Sequence, residues 1–118
     1  ERASPTTRFV TVLIDEASQA TEPAALVPLL LGCQQLLLVG DSCQLPPTVT
    51  SRAAAEGGLA RSLFSRLQEG GVTPLLLREQ YRMHPALAAF PSRRFYAARL
   101  ASAVAATQRA PPAGVRWP

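Results

Sequence analysis

At 118 residues and 47% hydrophobic content, the chain has the composition of a globular core and the size of one small domain or a piece of a larger one. A net charge of +4 and a pI near 10.0 invite a nucleic-acid partner, but all twelve basic residues are Arg, Lys and Asn are absent, and GC-rich coding explains that bias equally well. Cys33, Cys43 and the single His84 give neither spacing nor ligand number for zinc, so the thiols are expected reduced and packed. With no apolar run near the ~20 residues of a membrane span and no signal segment, the composition points to cytosol or nucleus.

Residues 1–8 are polar and read as a connection. Val10–Ile14 is apolar without alternation, which predicts a strand buried on both faces of a parallel sheet. Asp15 and Glu16 follow at once, where open α/β sheets place their ligand crevice. Thr21 as cap and Pro23 in the first turn predict a helix over Ala24–Leu31, stopped by Gly32. Apolar nearly all round, that helix is expected to lie buried against the sheet. Gln35–Val39 predicts a second strand, followed by Gly40-Asp41 and Gln44-Leu45-Pro46-Pro47. Strand, helix and strand with short joints make a right-handed βαβ unit, which sets Asp15-Glu16 beside Asp41–Gln44 at one sheet edge.

Residues 48–57 read as an exposed connection. Leu59, Leu63, Phe64 and Leu67 predict an amphipathic helix over Gly58–Glu69, ended by Gly70-Gly71. Pro74–Leu77 predicts a third short strand. Beyond Glu79–Pro85, a helix over Ala86–Phe90 is expected to break at Pro91, with Ser92 capping a second short helix through Tyr96. Residues 101–118 predict no element.

Two carboxylates at a strand end suit nucleoside triphosphate hydrolysis. Asp15 fits a carboxylate that fixes Mg²⁺ on phosphate oxygens, and Glu16 one that takes a proton from the attacking water. Each residue also has a plainer reading. Asp-Glu can simply open a helical turn, and Gln44 can cap a turn. Arg82 beside Tyr81 can form a surface cation–π pair, Met83 and Phe90 can be core, and Arg93-Arg94 a solvated face. Packing is expected of Cys43, with no flanking base to lower its pKa.

Three stretches shift that balance. VLIDEASQATEP, LLLVGDSCQLPP and REQYRMHPALAAFPSRRFY resemble, in order and spacing, the second, third and fourth motifs of superfamily 1B helicases, in particular the group around the RNA helicase of nonsense-mediated mRNA decay. The resemblance covers nearly the whole chain, including RAAAEGGLARSLFSRL and the terminal WP. It implies an α/β, RecA-like parallel sheet with flanking helices, incomplete: residues 1–79 finish a first lobe and residues 80–118 begin a second. It also implies ATP and Mg²⁺ as cofactors, with Asp15 on the metal side, Glu16 as base and Gln44 as γ-phosphate sensor. Arg82 is then a γ-phosphate contact from the second lobe, and Tyr81 a stacking partner of adenine; His84-Pro85 shape the turn.

The partners implied are single-stranded RNA or DNA, ratcheted by lobe closure, and the rest of a helicase core. No G-x-x-x-x-G-K-[ST] occurs, so a segment of a longer ATP-dependent helicase, inactive and marginally folded alone, is expected. The alternatives are a non-catalytic helicase-like remnant that binds RNA or a protein, and an unrelated phosphoryl-transfer or DNA-repair ATPase.

Overall fold

In a computed structural model that describes residues 8–110 and 113–114, the chain divides into two compact units, Glu1–Pro74 and Leu75–Pro118. The opening connection, apart from Arg8, and the terminal Trp-Pro lie outside the described residues.

In the first unit, β1 (Thr11–Ile14) and β2 (Gln35–Leu38) pair in parallel, with Val12 opposite Leu36 and Leu13 opposite Leu37. The intervening helix α1 (Glu22–Leu29) has Thr21 at its N-cap and Pro23 in its first turn. Thr21 makes no side-chain cap bond, and the helix ends at Leu30, two residues short of Gly32. Strand, helix and parallel strand stand in the expected order.

Burial departs from expectation. Only one sheet face is covered: Val12 is buried and Leu36 and Leu38 are half-buried, whereas Leu13 is 62% and Leu37 49% exposed. Continuous apolar runs mark strands that are covered twice, and no described element lies over Leu13 and Leu37. Likewise α1 buries Ala25 alone and leaves Leu30 84% exposed.

The region after β2 is more helical at its start and less so in its middle than expected. Helix α2 (Arg52–Ala54), with the Ser51 hydroxyl accepting from the Ala54 N–H, runs into a wider π-type turn over Ala55–Leu59. Gly58 then adopts φ +98°, a left-handed conformation that ends the helical path. A new helix, α3 (Leu63–Glu69), starts under a Ser62 cap whose hydroxyl accepts from the Ser65 N–H at 3.1 Å. The amphipathic pattern over Gly58–Glu69 is therefore one helix shorter by its first turn. Phe64, Leu67 and Val72 face Leu36 and Leu38 across an apolar groove of about 210 Å³. Arg66 ties α3 to α1 through a forked pair with Glu22, Nη2 to Oε1 at 2.6 Å and Nε to Oε2 at 2.8 Å.

In the second unit, Leu75 and Leu77 are 90% and 76% exposed, and no strand forms over Pro74–Leu77, because no described segment offers a backbone ladder there. Pairing begins two residues later, between β3 (Glu79–Gln80) and β4 (Ala101–Ser102), again in parallel. The latter lies where no element was predicted, as does a 3₁₀ turn at Ala106–Arg109.

Between them, helix α4 (Pro85–Phe95) continues through Pro91 instead of breaking. Proline's fixed φ is helical; the helix gives up the hydrogen bond that residue 91 would donate to the Leu87 carbonyl and accommodates the ring against that carbonyl. Ser92 is consequently no cap. It is buried, and its hydroxyl accepts from the Leu100 N–H at 3.2 Å, tying the helix to the approach of β4. The cap belongs to His84, whose Nδ1 accepts from the Ala86 N–H at 3.1 Å. No helix among the described residues is long and apolar enough to cross a membrane.

Candidate functional site

Parallel pairing brings the carboxyl ends of β1 and β2 together, and backbone bonds stitch the two segments that follow them. The Ala17 N–H donates to the Val39 carbonyl at 2.8 Å, and the Asp41 N–H to the buried Ser18 hydroxyl at 3.2 Å. Gly40 lies so close that a Cβ there would stand 2.9 Å from the Ser18 nitrogen and 3.2 Å from that of Ala17. The acidic turn and the glutamine loop thus form one rim, which sequence distance hides.

On that rim the side chains of Asp15 and Glu16 are exposed. One Asp15 oxygen accepts from the Glu16 N–H at 2.9 Å. Glu16 itself sits at φ +50°, a left-handed conformation uncommon for a residue with a Cβ, and Gln19 holds it twice. The Gln19 N–H donates to the Glu16 carbonyl at 2.8 Å and its side-chain amide to Glu16 Oε2 at 3.1 Å. Such strain concentrates where a side chain must be aimed.

Gln44 is held within its own loop. Its Nε2 donates to Asp41 Oδ2 at 2.7 Å and its N–H to the Asp41 carbonyl at 3.2 Å, while Asp41 Oδ1 accepts from the Cys43 N–H at 3.0 Å. The turn-capping role and an outward-facing amide therefore coexist. Cys43 is exposed, not packed, since the loop hydrogen-bonds through backbone and Asp41 and turns this side chain outward; Cys33 is half-buried, with its thiol on the Gln35 carbonyl at 3.1 Å, and neither forms a disulfide.

The donor set on the rim is hard carboxylate oxygen, and no group of three or more His, Cys, Asp or Glu able to hold a metal exists among the described residues. Carboxylate oxygen is the donor type that Mg²⁺ takes, through one or two carboxylates with water or phosphate in its other positions.

Tyr81 and Arg82 lie in the second unit, on the turn between β3 and α4. Gln80 organises that turn: its Oε1 accepts from the N–H groups of Arg82 at 3.0 Å and Met83 at 2.7 Å, and its Nε2 donates to the Met83 carbonyl and the Ser102 hydroxyl. The Tyr81 hydroxyl donates to Glu79 Oε2 at 2.7 Å, and that bond to a carboxylate raises the phenol pKa above its usual 10.0. Arg109 donates to the carbonyls of Tyr81 and Arg82. The Arg82 guanidinium is exposed and makes no hydrogen bond or ion pair among the described residues. No cation–π contact joins it to Tyr81; such a contact exists instead where Arg94 lies 5.3 Å from the Phe95 ring centre.

Ser18, Gly40, Gln80 and Arg109 escape a reading by motif. Ser18 and Gly40 carry a weak signal, being small residues beside each acidic turn. Gln80 stands inside the Gln-Tyr-Arg stretch but nothing local announces its bonds to Ser102 and the turn, and Arg109 carries no signal, because its partners are backbone carbonyls brought near by folding.

A parallel βαβ core whose strand ends present carboxylates and an amide on one rim has its polar groups where open α/β sheets take a ligand, and the chain belongs to the AAA-domain family, in its superfamily 1B helicase form. Two models described as AAA domain match it, over residues 2–52 and 59–117. Among curated proteins it is 54% identical over 102 residues to the regulator of nonsense transcripts 1 homolog of Arabidopsis thaliana, covering 86% of this chain and 8% of that protein. It is 49% identical over 111 residues to the homolog of that name in Drosophila melanogaster, covering 94% of this chain and 9% of the relative. It is 48% identical over 113 residues to ATP-dependent helicase NAM7 of Saccharomyces cerevisiae, covering 95% of this chain and 12% of the relative. The chain thus spans about a tenth of the length of these relatives.

Proposed function

We propose that this chain is the part of an ATP-dependent, RNA-translocating helicase that supplies the hydrolytic carboxylates and the γ-phosphate contacts. The shared rim carries the reading: two exposed acids at the end of β1, one of them in a left-handed backbone, stitched to the loop that presents Gln44. Two relatives named for nonsense transcripts and one named an ATP-dependent helicase support RNA as the track and ATP as the fuel.

In this reading Asp15 holds Mg²⁺, which neutralises phosphate charge when bound. Glu16 accepts the proton of the attacking water, and its fixed backbone keeps the carboxylate aimed. The Gln44 amide can donate to a phosphate oxygen and accept from that water, so it registers the γ-phosphate without a charge that would retain product. Arg82 spreads the charge that develops on the transferred group, and the exposed Tyr81 ring offers a stacking face to adenine. Residues 1–79 complete the first RecA-like lobe and residues 80–118 open the second. The division of the chain into compact units after Pro74 supports a two-lobe reading.

No lysine-bearing phosphate loop occurs in these 118 residues, so turnover belongs to the full-length chain. There, Glu16→Gln leaves ATP binding intact and abolishes hydrolysis, measured as nucleotide affinity and steady-state phosphate release. Hydrolysis at the wild-type rate in that variant removes Glu16 from the chemistry.

A further inference from the structure

The turn that carries Tyr81 and Arg82 is gripped by a residue far along the chain. Arg109 Nη2 donates to the Tyr81 carbonyl at 2.6 Å and Nε to the Arg82 carbonyl at 2.9 Å, while Nη1 closes on the Gln108 carbonyl at 3.0 Å. All three guanidinium nitrogens therefore sit on backbone carbonyls. Consecutive carbonyls of a tight turn point in different directions. A planar fork of donors in fixed geometry can hold two of them at once, which a single ammonium does poorly.

The other side of the turn is closed by Gln80, which takes the N–H groups of Arg82 and Met83 and is itself bonded to Ser102 of β4. Arg109 on the carbonyl side and Gln80 on the amide side, the latter anchored to Ser102, thus clasp the turn together. The segment of Ser102 and Arg109 is fixed in turn: β4 pairs with β3, and the Gln108 side chain accepts from the Ala105 N–H at 2.8 Å.

We propose that Arg109 is a positioning residue for Arg82: it acts through the backbone of the Tyr81-Arg82 turn and sets where the Arg82 guanidinium points. Among the described residues Arg109 makes no ion pair with a carboxylate and no hydrogen bond to the side chain of Tyr81 or Arg82, so its hydrogen bonds all act on the main chain. The inference rests on the proposed role of Arg82 at the γ-phosphate.

The test compares Arg109→Ala, Arg109→Lys, Arg82→Ala and the double Arg82→Ala, Arg109→Ala variant in the full-length chain, by ATP turnover and melting temperature. Arg82→Ala is expected to cost about 10³-fold or more in kcat. Misplacing that group through its turn is expected to cost about 10²-fold in Arg109→Ala, with KM for ATP changed far less. Arg109→Lys recovers part of that loss, and the double variant is no slower than Arg82→Ala alone, because Arg109 has nothing left to aim.

Losses that multiply in the double variant, or a kcat within about twofold of wild type in Arg109→Ala, overturn the proposal. Should Arg109→Ala fail to fold, Arg109→Lys carries the comparison, and a wild-type kcat or a multiplied loss beside Arg82→Ala counts against the proposal in the same way. A wild-type rate in Arg82→Ala is a different failure: it removes the γ-phosphate reading itself.

Discussion

At the scale of single residues, the rim depends on closeness that only a missing side chain allows. Gly40 faces the nitrogens of Ala17 and Ser18, and backbone cannot swing aside as a flexible side chain can. Gly40→Ala is therefore expected to cost about 1–3 kcal/mol of local stability. It should be seen as faster hydrogen exchange of the Ala17 and Asp41 amides, whose bonds close the rim, and unchanged exchange means the strand ends have room to spare. Asp15 and Glu16 were legible because they follow an apolar run directly. Ser18 was not, since its hydroxyl serves a backbone amide 23 residues away. Nor was the left-handed φ of Glu16, which no local preference of Glu announces.

At the scale of elements, α1 and α3 meet through Glu22 and Arg66. The hydrogen bond from Arg66, then its charge, holds the Glu22 carboxyl below its ordinary value of 4.5. The folded state thus favours the ionised form. The tie is fully present above about pH 4.5 and is lost as pH falls through the lowered folded value. Glu22→Gln should remove that acid-dependent loosening of α3, followed as amide exchange in the Leu63–Glu69 helix, relative to an unstructured peptide, from neutral pH down until the wild-type Glu22 carboxyl is protonated; the same acid response in the variant leaves the pair without effect.

Helix existence was readable from the spacing of Leu63, Phe64 and Leu67, but its start was not. Gly58 takes a left-handed turn and Ser62 supplies the cap that decides where the helix begins. Pro91 misled in the opposite sense: its ring suits a helix once Ser92 and the residues after it hold the following turn in place.

At the scale of the whole molecule, apolar surface left open is the dominant feature. Leu13 and Leu37 stand on an uncovered sheet face, Leu30 on an uncovered helix, and Leu75 and Leu77 on a segment without a ladder. A two-stranded sheet also leaves the outer backbone edge of each strand without a partner strand among the described residues. Residues 1–118 expressed alone are accordingly expected to unfold without a sharp cooperative transition and to bind a dye for apolar surface. A steep single transition by circular dichroism and calorimetry argues instead that the piece is self-sufficient.

The order of amino acids by itself determined the elements that bear chemistry. An apolar run ending in Asp-Glu, a second ending in Gly-Asp with Gln three residues on, and a Gln-Tyr-Arg turn before a helix are local patterns, and local patterns follow from propensity and period. The βαβ order also implied that the first two share a sheet edge; only the tertiary structure decided what holds them there and what grips the third. The Ala17–Val39 and Ser18–Asp41 bonds, and the reach of Arg109 to Tyr81 and Arg82, join residues more than twenty positions apart. Such contacts exist only once the backbone between them has been folded into strands and turns of definite length and direction.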